Sequence, residues 1–158
     1  MDDSLNGKTA LVSGSTQGIG KATAITLAKM GAKIILLARN EEKLKSVQTE
    51  LNQISDAGHA YGVADFSNVS NVEKVAAKLV AQHGEINILI NNTGGPAGGR
   101  AIDAGLSEYL AAFEMHLLCN QALAQALVPG MRSSGYGRIV NVISTSVKQP
   151  LANLGVSN

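Results

Sequence analysis

The tightest constraint on this chain is a glycine-rich turn set between two regular segments. An apolar, partly β-branched run from Thr9 to Ser13 leads directly into Gly14-Ser15-Thr16-Gln17-Gly18-Ile19-Gly20, and helical spacing then runs from Gly18 to Met30. Glycine at Gly14, Gly18 and Gly20 keeps side chains out of the turn, so a ligand can approach the backbone closely. The free N–H groups and the positive dipole end of the following helix favour negative charge at that point. A ligand-free strand-to-helix connection would also use glycines, and the spacing G-x-x-x-G-x-G departs from the more usual G-x-G-x-x-G. The placement between strand and helix favours a ligand, the pyrophosphate of a dinucleotide, held by the first half of a Rossmann-type domain.

The rest of the chain repeats this alternation. Strand patterns fall at Thr9 to Ser13, Lys33 to Ala38, His59 to Val63, Ile86 to Asn91 and Arg138 to Ser144. Helical spacing covers Gly18 to Met30, where Gly31 supplies a left-handed stop, and Glu41 to Ser55, ended by Gly58. A third helix is predicted from a capping box of Ser70 and Glu73 to about His83 and Gly84, and a fourth from about Ser107 to Ser133. Such βαβ repetition predicts an α/β fold with a doubly wound parallel sheet. The run Gly94 to Gly99 must be a loop. Leu151 to Asn158 reads as an irregular tail that brings no helix to cover the fifth strand, whereas a parallel sheet needs both faces covered. Residues 1–158 therefore read as a single NAD(P)-binding domain that is incomplete at its carboxyl end.

Composition narrows the partners. The 158 residues are 45% hydrophobic but only 3% aromatic, so the core must be built from Ala, Val, Ile and Leu. A net charge of +1 without any basic run gives no surface for nucleic acid or anionic lipid. Met1 to Lys8 is polar, and no stretch approaches the roughly eighteen apolar residues of a membrane span, so a cytoplasmic protein is expected. The lone Cys119, between apolar neighbours, is expected to be buried and unreactive, and His59, His83 and His116 are too scattered to suggest a metal site.

The second strand ends in Ala38-Arg39-Asn40, with no acid to accept from ribose hydroxyls. A guanidinium there suits a 2′-phosphate, which favours NADP(H) over NAD(H). Arg39 could equally be a solvated residue ahead of the second helix. The turn spacing, together with Asn91-Asn92-Thr93-Gly94 after the fourth strand and Gly137-Arg138-Ile139-Val140-Asn141-Val142 leading to Ser144, resembles the short-chain dehydrogenase/reductase family. The form is that of its 3-oxoacyl-acyl-carrier-protein reductase-like members, and Thr93 replaces an alanine.

The resemblance implies adjacent first and fourth strands. It also implies a cofactor set of Gly14, Ser15, Thr16, Gln17, Gly18, Ile19, Gly20, Arg39, Asp65, Asn91, Thr93 and Gly94, with Asp65 beside the adenine; a turn-forming role for Asp65 is the alternative. It implies hydride exchange between NADP(H) and a small carbonyl or alcohol, with Ser144 holding the substrate oxygen. The family's tyrosine, thirteen residues after the serine, falls on Ser157, and its lysine falls beyond Asn158. His116 stands where the family has asparagine and is not read as catalytic; Tyr136 is assigned to a turn. The 158 residues alone are therefore expected to be inactive, and a dinucleotide-binding but non-catalytic sensor or subunit is the alternative. Leu110, Phe113, Leu117 and Ala124 form an apolar row that either packs on the chain's own sheet or pairs two copies of a longer form.

Overall fold

The computed structural model describes residues 4–157, so the expectations about Met1 and its two neighbours, and about Asn158, lie outside the described residues. Five parallel strands form one sheet: β1 (Thr9–Ser13), β2 (Lys33–Ala38), β3 (Ala60–Val63), β4 (Ile88–Asn91) and β5 (Arg138–Asn141), in the order β3-β2-β1-β4-β5. Helices α1 (Gly18–Lys29), α2 (Glu41–Ile54), α3 (Val69–His83), α4 (Leu106–Phe113) and α5 (Cys119–Ser133) connect them.

Alternation along the strands divides the core. Ala10, Val12, Ile34 and Leu36 pack with Ala24, Ala28, Leu44, Val47 and Leu51 from α1 and α2. Leu11, Ile35, Leu37 and Leu89 turn the other way, onto Val72, Ala76 and Leu79 of α3 and Leu123 and Leu127 of α5. Each large side chain so buried contributes about 1.5–3 kcal/mol. This is a doubly wound Rossmann-type α/β architecture, and its chain order reverses between β1 and β4, where crevices form outside the carboxyl ends of the strands.

The element boundaries depart from the sequence pattern for identifiable reasons. β3 starts at Ala60 because His59 uses its ring: Nδ1 accepts from the Ile34 N–H at 3.0 Å. β4 starts at Ile88 because the Asn87 side chain accepts from the Thr9 N–H at 3.0 Å, in place of a backbone carbonyl. The cap of α3 is Asn68, whose side chain accepts from the Asn71 N–H, so the capping box of Ser70 and Glu73 does not open this helix. The predicted fourth helix is interrupted. Between α4 and α5, Glu114–Leu118 forms a π-helical turn closed by the Cys119 N–H on the Glu114 carbonyl. β5 ends at Asn141, three residues short of Ser144, which instead opens a 3₁₀ turn, Thr145–Val147.

The apolar row divides as well. Leu110, Phe113 and Leu117 are more than half exposed, at 64%, 54% and 52%, so they do not pack on the chain's own sheet. All four residues of β5 are exposed, although the strand pairs fully with β4. No helix among the described residues is long and apolar enough to cross a membrane.

Candidate active site

At the carboxyl end of β1 the backbone turns through Gly14 in a left-handed conformation, φ 58°, which an L side chain rarely adopts. A Cβ there would also strike the Asn92 carbonyl oxygen and come within 2.6 Å of the Asn92 amide nitrogen. At Gly20 a Cβ would strike the Gly14 carbonyl. These two glycines exist so that the turn can close on the segment after β4. Asn92 completes the closure, with its Nδ2 donating to the carbonyls of Ser13 and Gly14 at 3.3 Å and its backbone N–H donating to Ser13 Oγ at 2.9 Å.

Gly18 differs from both. Its φ is 53°, yet a Cβ there would meet nothing, so the turn is open on that side. Gln17 caps α1 without any side-chain hydrogen bond, and no acid lies in the first turn. The leading N–H groups of α1 therefore face that open side with their own polarity unanswered. Ile19, 61% exposed, and Thr16 and Gln17 border the same space, while Ser15 is buried, its Oγ accepting from the Leu37 N–H at 3.0 Å to fasten the turn to β2.

Arg39 follows β2 on the exposed surface. Asp65 follows β3 as a turn-former, its carboxylate accepting from the Ser67 N–H at 3.0 Å. That bond, with help from the Ser67 side chain and the Arg39 charge, holds its carboxyl below the usual value.

Beyond the turn lies a cavity of about 660 Å³, which Ile19 borders at one end. It brings together Asn91 at the end of β4 and Thr93 after it, His116 and Asn120 around the π turn, Ser144, and Ser157. Gly94, where a Cβ would meet nothing, follows Thr93 but is not part of the wall, whereas Gly95 is. Ser144 Oγ accepts two bonds from Ser146, one from its N–H at 3.1 Å and one from its hydroxyl at 2.7 Å. With its acceptor capacity used, Ser144 keeps its own O–H for donation into the cavity. Ser157 reaches the cavity wall as a short hydroxyl. Tyr136 does not: it lies in the turn before β5, with Lys8 and Arg138 near its ring at 4.5 and 4.7 Å.

The sequence reading passed over three of these residues. Asn141 accepts from Asn91 Nδ2 at 2.8 Å, and Asn120 donates to the His116 carbonyl at 2.6 Å. His116, set aside on sequence, has its Nδ1 2.8 Å from Thr93 Oγ1, and burial pushes its pKa down. Among the described residues no cluster of His, Cys, Asp and Glu could hold a metal ion.

A family model described as short chain dehydrogenase matches residues 8–156. The 7alpha-hydroxysteroid dehydrogenase of Escherichia coli K12 is 28% identical over 95% of this chain. An L-sorbose reductase from Gluconobacter frateurii, solved with NADPH and L-sorbose, superposes with a TM-score of 0.93 at 30% identity over 99% of the chain. A metagenomic short-chain oxidoreductase solved with NADP gives 0.86 at 32% identity over 96%. The chain spans 58% of the steroid dehydrogenase, 60% of the sorbose reductase and 69% of the metagenomic enzyme. With a match running from the residue before β1 to Val156 in the cavity wall, the chain belongs to the short-chain dehydrogenase family.

Proposed function

We propose that this chain is the dinucleotide-binding part of a cytoplasmic NADP(H)-dependent oxidoreductase acting on a small carbonyl or alcohol. The observation that carries this reading is one continuous surface: Ile19, in the first turn of α1, borders the cavity that also holds Ser144. A pyrophosphate on the N–H groups of Gly18, Ile19 and Gly20 would lie beside that cavity, with Thr16 and Gln17 at its margin and Gly14 and Ser15 holding the turn in shape. Asn91, Thr93 and Gly94 border the reacting end. When bound, the nicotinamide supplies or accepts the hydride. Ser144 donates its O–H to the substrate oxygen and orients the carbonyl, a positioning and polarising role.

Arg39 would pair with a 2′-phosphate, a reading supported by the end of β2 offering this exposed cation and no carboxylate. Asp65, within the field of Arg39, borders the adenine side. Two relatives solved with NADPH or NADP support the cofactor; the hydroxysteroid that names one relative and the L-sorbose bound by another differ too much to transfer. The test is calorimetric titration of the chain with NADPH and NADH. NADPH should bind more tightly, and Arg39→Asp should cost it about 1.5–3 kcal/mol, the worth of a charge-assisted bond, while sparing NADH. An unchanged preference in the variant rejects the role of Arg39, and failure to bind either dinucleotide rejects the whole reading.

A further inference from the structure

The first turn of α2 carries two acids, Glu41 and Glu42, close behind the cation that the dinucleotide reading assigns to the 2′-phosphate. Negative charge suits the amino end of a helix, which accounts for the acids as helix formers. It does not suit a phosphate, which carboxylates beside Arg39 would repel. A carboxylate at the end of β2 accepts instead from ribose hydroxyls, the arrangement that favours NAD(H). The local sequence therefore holds both preferences side by side, and the direction in which the two acids point decides between them.

The structure draws them away. Lys45 Nζ lies 3.3 Å from Glu41 Oε1 and 3.4 Å from Glu42 Oε1, and the Tyr61 hydroxyl donates to Glu41 Oε1 at 3.0 Å. Both anchors stand on the same side. The helix α2 returns from the carboxyl end of β2 to the amino end of β3, so Lys45, four residues after Glu41, lies about 6 Å further from the carboxyl ends of the strands. Tyr61 pairs with Leu36, three residues before Arg39, which places its backbone about 10 Å back along the sheet. These two partners, Tyr61 first, hold the Glu41 carboxyl below its usual value. Arg39 is exposed and makes no ion pair among the described residues. Asp65, which lies in its field, is tied to the Ser67 N–H.

We infer that Tyr61 and Lys45 are specificity-determining residues for the 2′-phosphate, acting as positioning residues: they hold Glu41 and Glu42 back, so that Arg39 meets the phosphate without an opposing carboxylate from α2. The inference rests on the NADP(H) reading above and goes beyond it, since neither residue needs to touch the cofactor.

The test is the ratio of NADPH to NADH affinity, taken from calorimetric titration of the 158-residue chain at low ionic strength, where screening is weak. Tyr61→Phe removes one hydroxyl and no charge. It should lower the ratio about two- to three-fold, the effect of bringing a carboxylate from about 10 Å to about 6 Å from a phosphate across water. In a chain that already carries Glu41→Gln, the same change should alter nothing. Lys45→Gln should lower the ratio at least as much, Lys45→Arg should keep it, and the differences should shrink toward none in about 0.5 M salt. Arg39→Asp is the reference. If it removes the preference while Tyr61→Phe and Lys45→Gln leave the ratio as it was, this inference is overturned and the NADP(H) reading stands. A Tyr61→Phe effect that persists beside Glu41→Gln, or that salt does not weaken, also overturns it, because Tyr61 would then act through the fold. If Arg39→Asp leaves the ratio unchanged, the role of Arg39 falls and this inference falls with it.

Discussion

The turn after β1 and the cavity lined by the π turn meet at the carboxyl ends of the strands, yet they are built on opposite terms. In the turn, side chains are missing where the backbone must close, and the side chains that fasten it are bound internally: Ser13 to Asn92, Asn92 to Gly14, Ser15 to Leu37. In the cavity, side chains form the wall, and among the described residues three of their buried polar atoms have no hydrogen-bond partner. The turn is shaped by steric exclusion and is needed for the fold itself. The cavity wall carries its unpaired polarity at some cost to stability, as binding sites commonly do. Substitutions in the first should therefore register as unfolding, and substitutions in the second as altered binding.

The largest effect sought is on chemistry. A positioned general acid contributes about 10² to 10⁴ in rate, and at the position where the family places its tyrosine this chain offers the Ser157 hydroxyl, a far weaker acid than a phenol. NADPH consumption by the 158-residue chain with a panel of small ketones should stay at background, although the dinucleotide binds. Robust turnover would mean that another group supplies the proton, and His116 in the cavity wall would be the next to test.

Next comes the direct contrast in stability. Gly14→Ala places a Cβ against Asn92 and forces a left-handed alanine, so urea denaturation should register a loss on the order of 3 kcal/mol. Asn120→Leu removes an unpaired buried oxygen together with one hydrogen bond, and its stability should stay within about 1 kcal/mol of the parent, since deleting unsatisfied polarity offsets the bond lost. Similar losses for the two variants would dissolve the distinction.

The same contrast explains what the sequence made legible. Glycine spacing and the alternation of apolar runs are local, so the Gly14 to Gly20 turn and five parallel strands followed from them, while the pairing of the first strand with the fourth came from the family resemblance. Where a side chain stands in for backbone, the pattern misleads: His59 and Asn87 occupy ladder positions with ring and amide, so β3 and β4 open later than their apolar runs. The π turn is invisible because Glu114 to Leu118 keeps a helical apolar rhythm, and only the extra residue in the hydrogen-bond ring distinguishes it. His116 is not read as catalytic because an imidazole cannot reproduce an amide's fixed donor and acceptor pair, and its contact with Thr93 is one that periodicity does not bring near.

A smaller effect tests the substitution of side chain for backbone at β3. His59 Nδ1 must be unprotonated to accept from the Ile34 N–H, and burial, with the nearby Lys33 charge, lowers its pKa below the usual 6.5. The unfolded chain then binds the proton more readily than the folded one. This contribution to stability is complete above about pH 6.5 and is lost as the pH falls through that value toward the folded pKa. Burial lowers His83 and His116 in the same direction. The urea midpoint should fall between pH 7.5 and 5.5, and His59→Gln should flatten part of that slope; an unchanged slope would place the pH sensitivity elsewhere.

The smallest expected effect concerns the wall next to the cavity. Cys119 follows the π turn directly, is fully buried against α3 and α5 neighbours such as Val72 and Leu123, and donates its thiol to the Phe66 carbonyl at 3.3 Å. Burial, with the charges of Glu114 and Asp65, pushes the thiol up to about 11. At pH 8 only about one thiol in a thousand is then thiolate, the form that reacts. A disulfide reagent should leave the native chain unlabelled over the minutes in which a urea-unfolded sample reacts fully. The rate also reports on the cavity, because the π turn cannot open toward the core without uncovering the residue that follows it. Slow labelling, unchanged when NADPH is added, would mean that the unpaired atoms lie in a wall as firm as the glycine turn. Rapid labelling that NADPH suppresses would mean that the cavity is closed by what it binds, and the contrast between the two regions would then be one of rigidity as well as bonding.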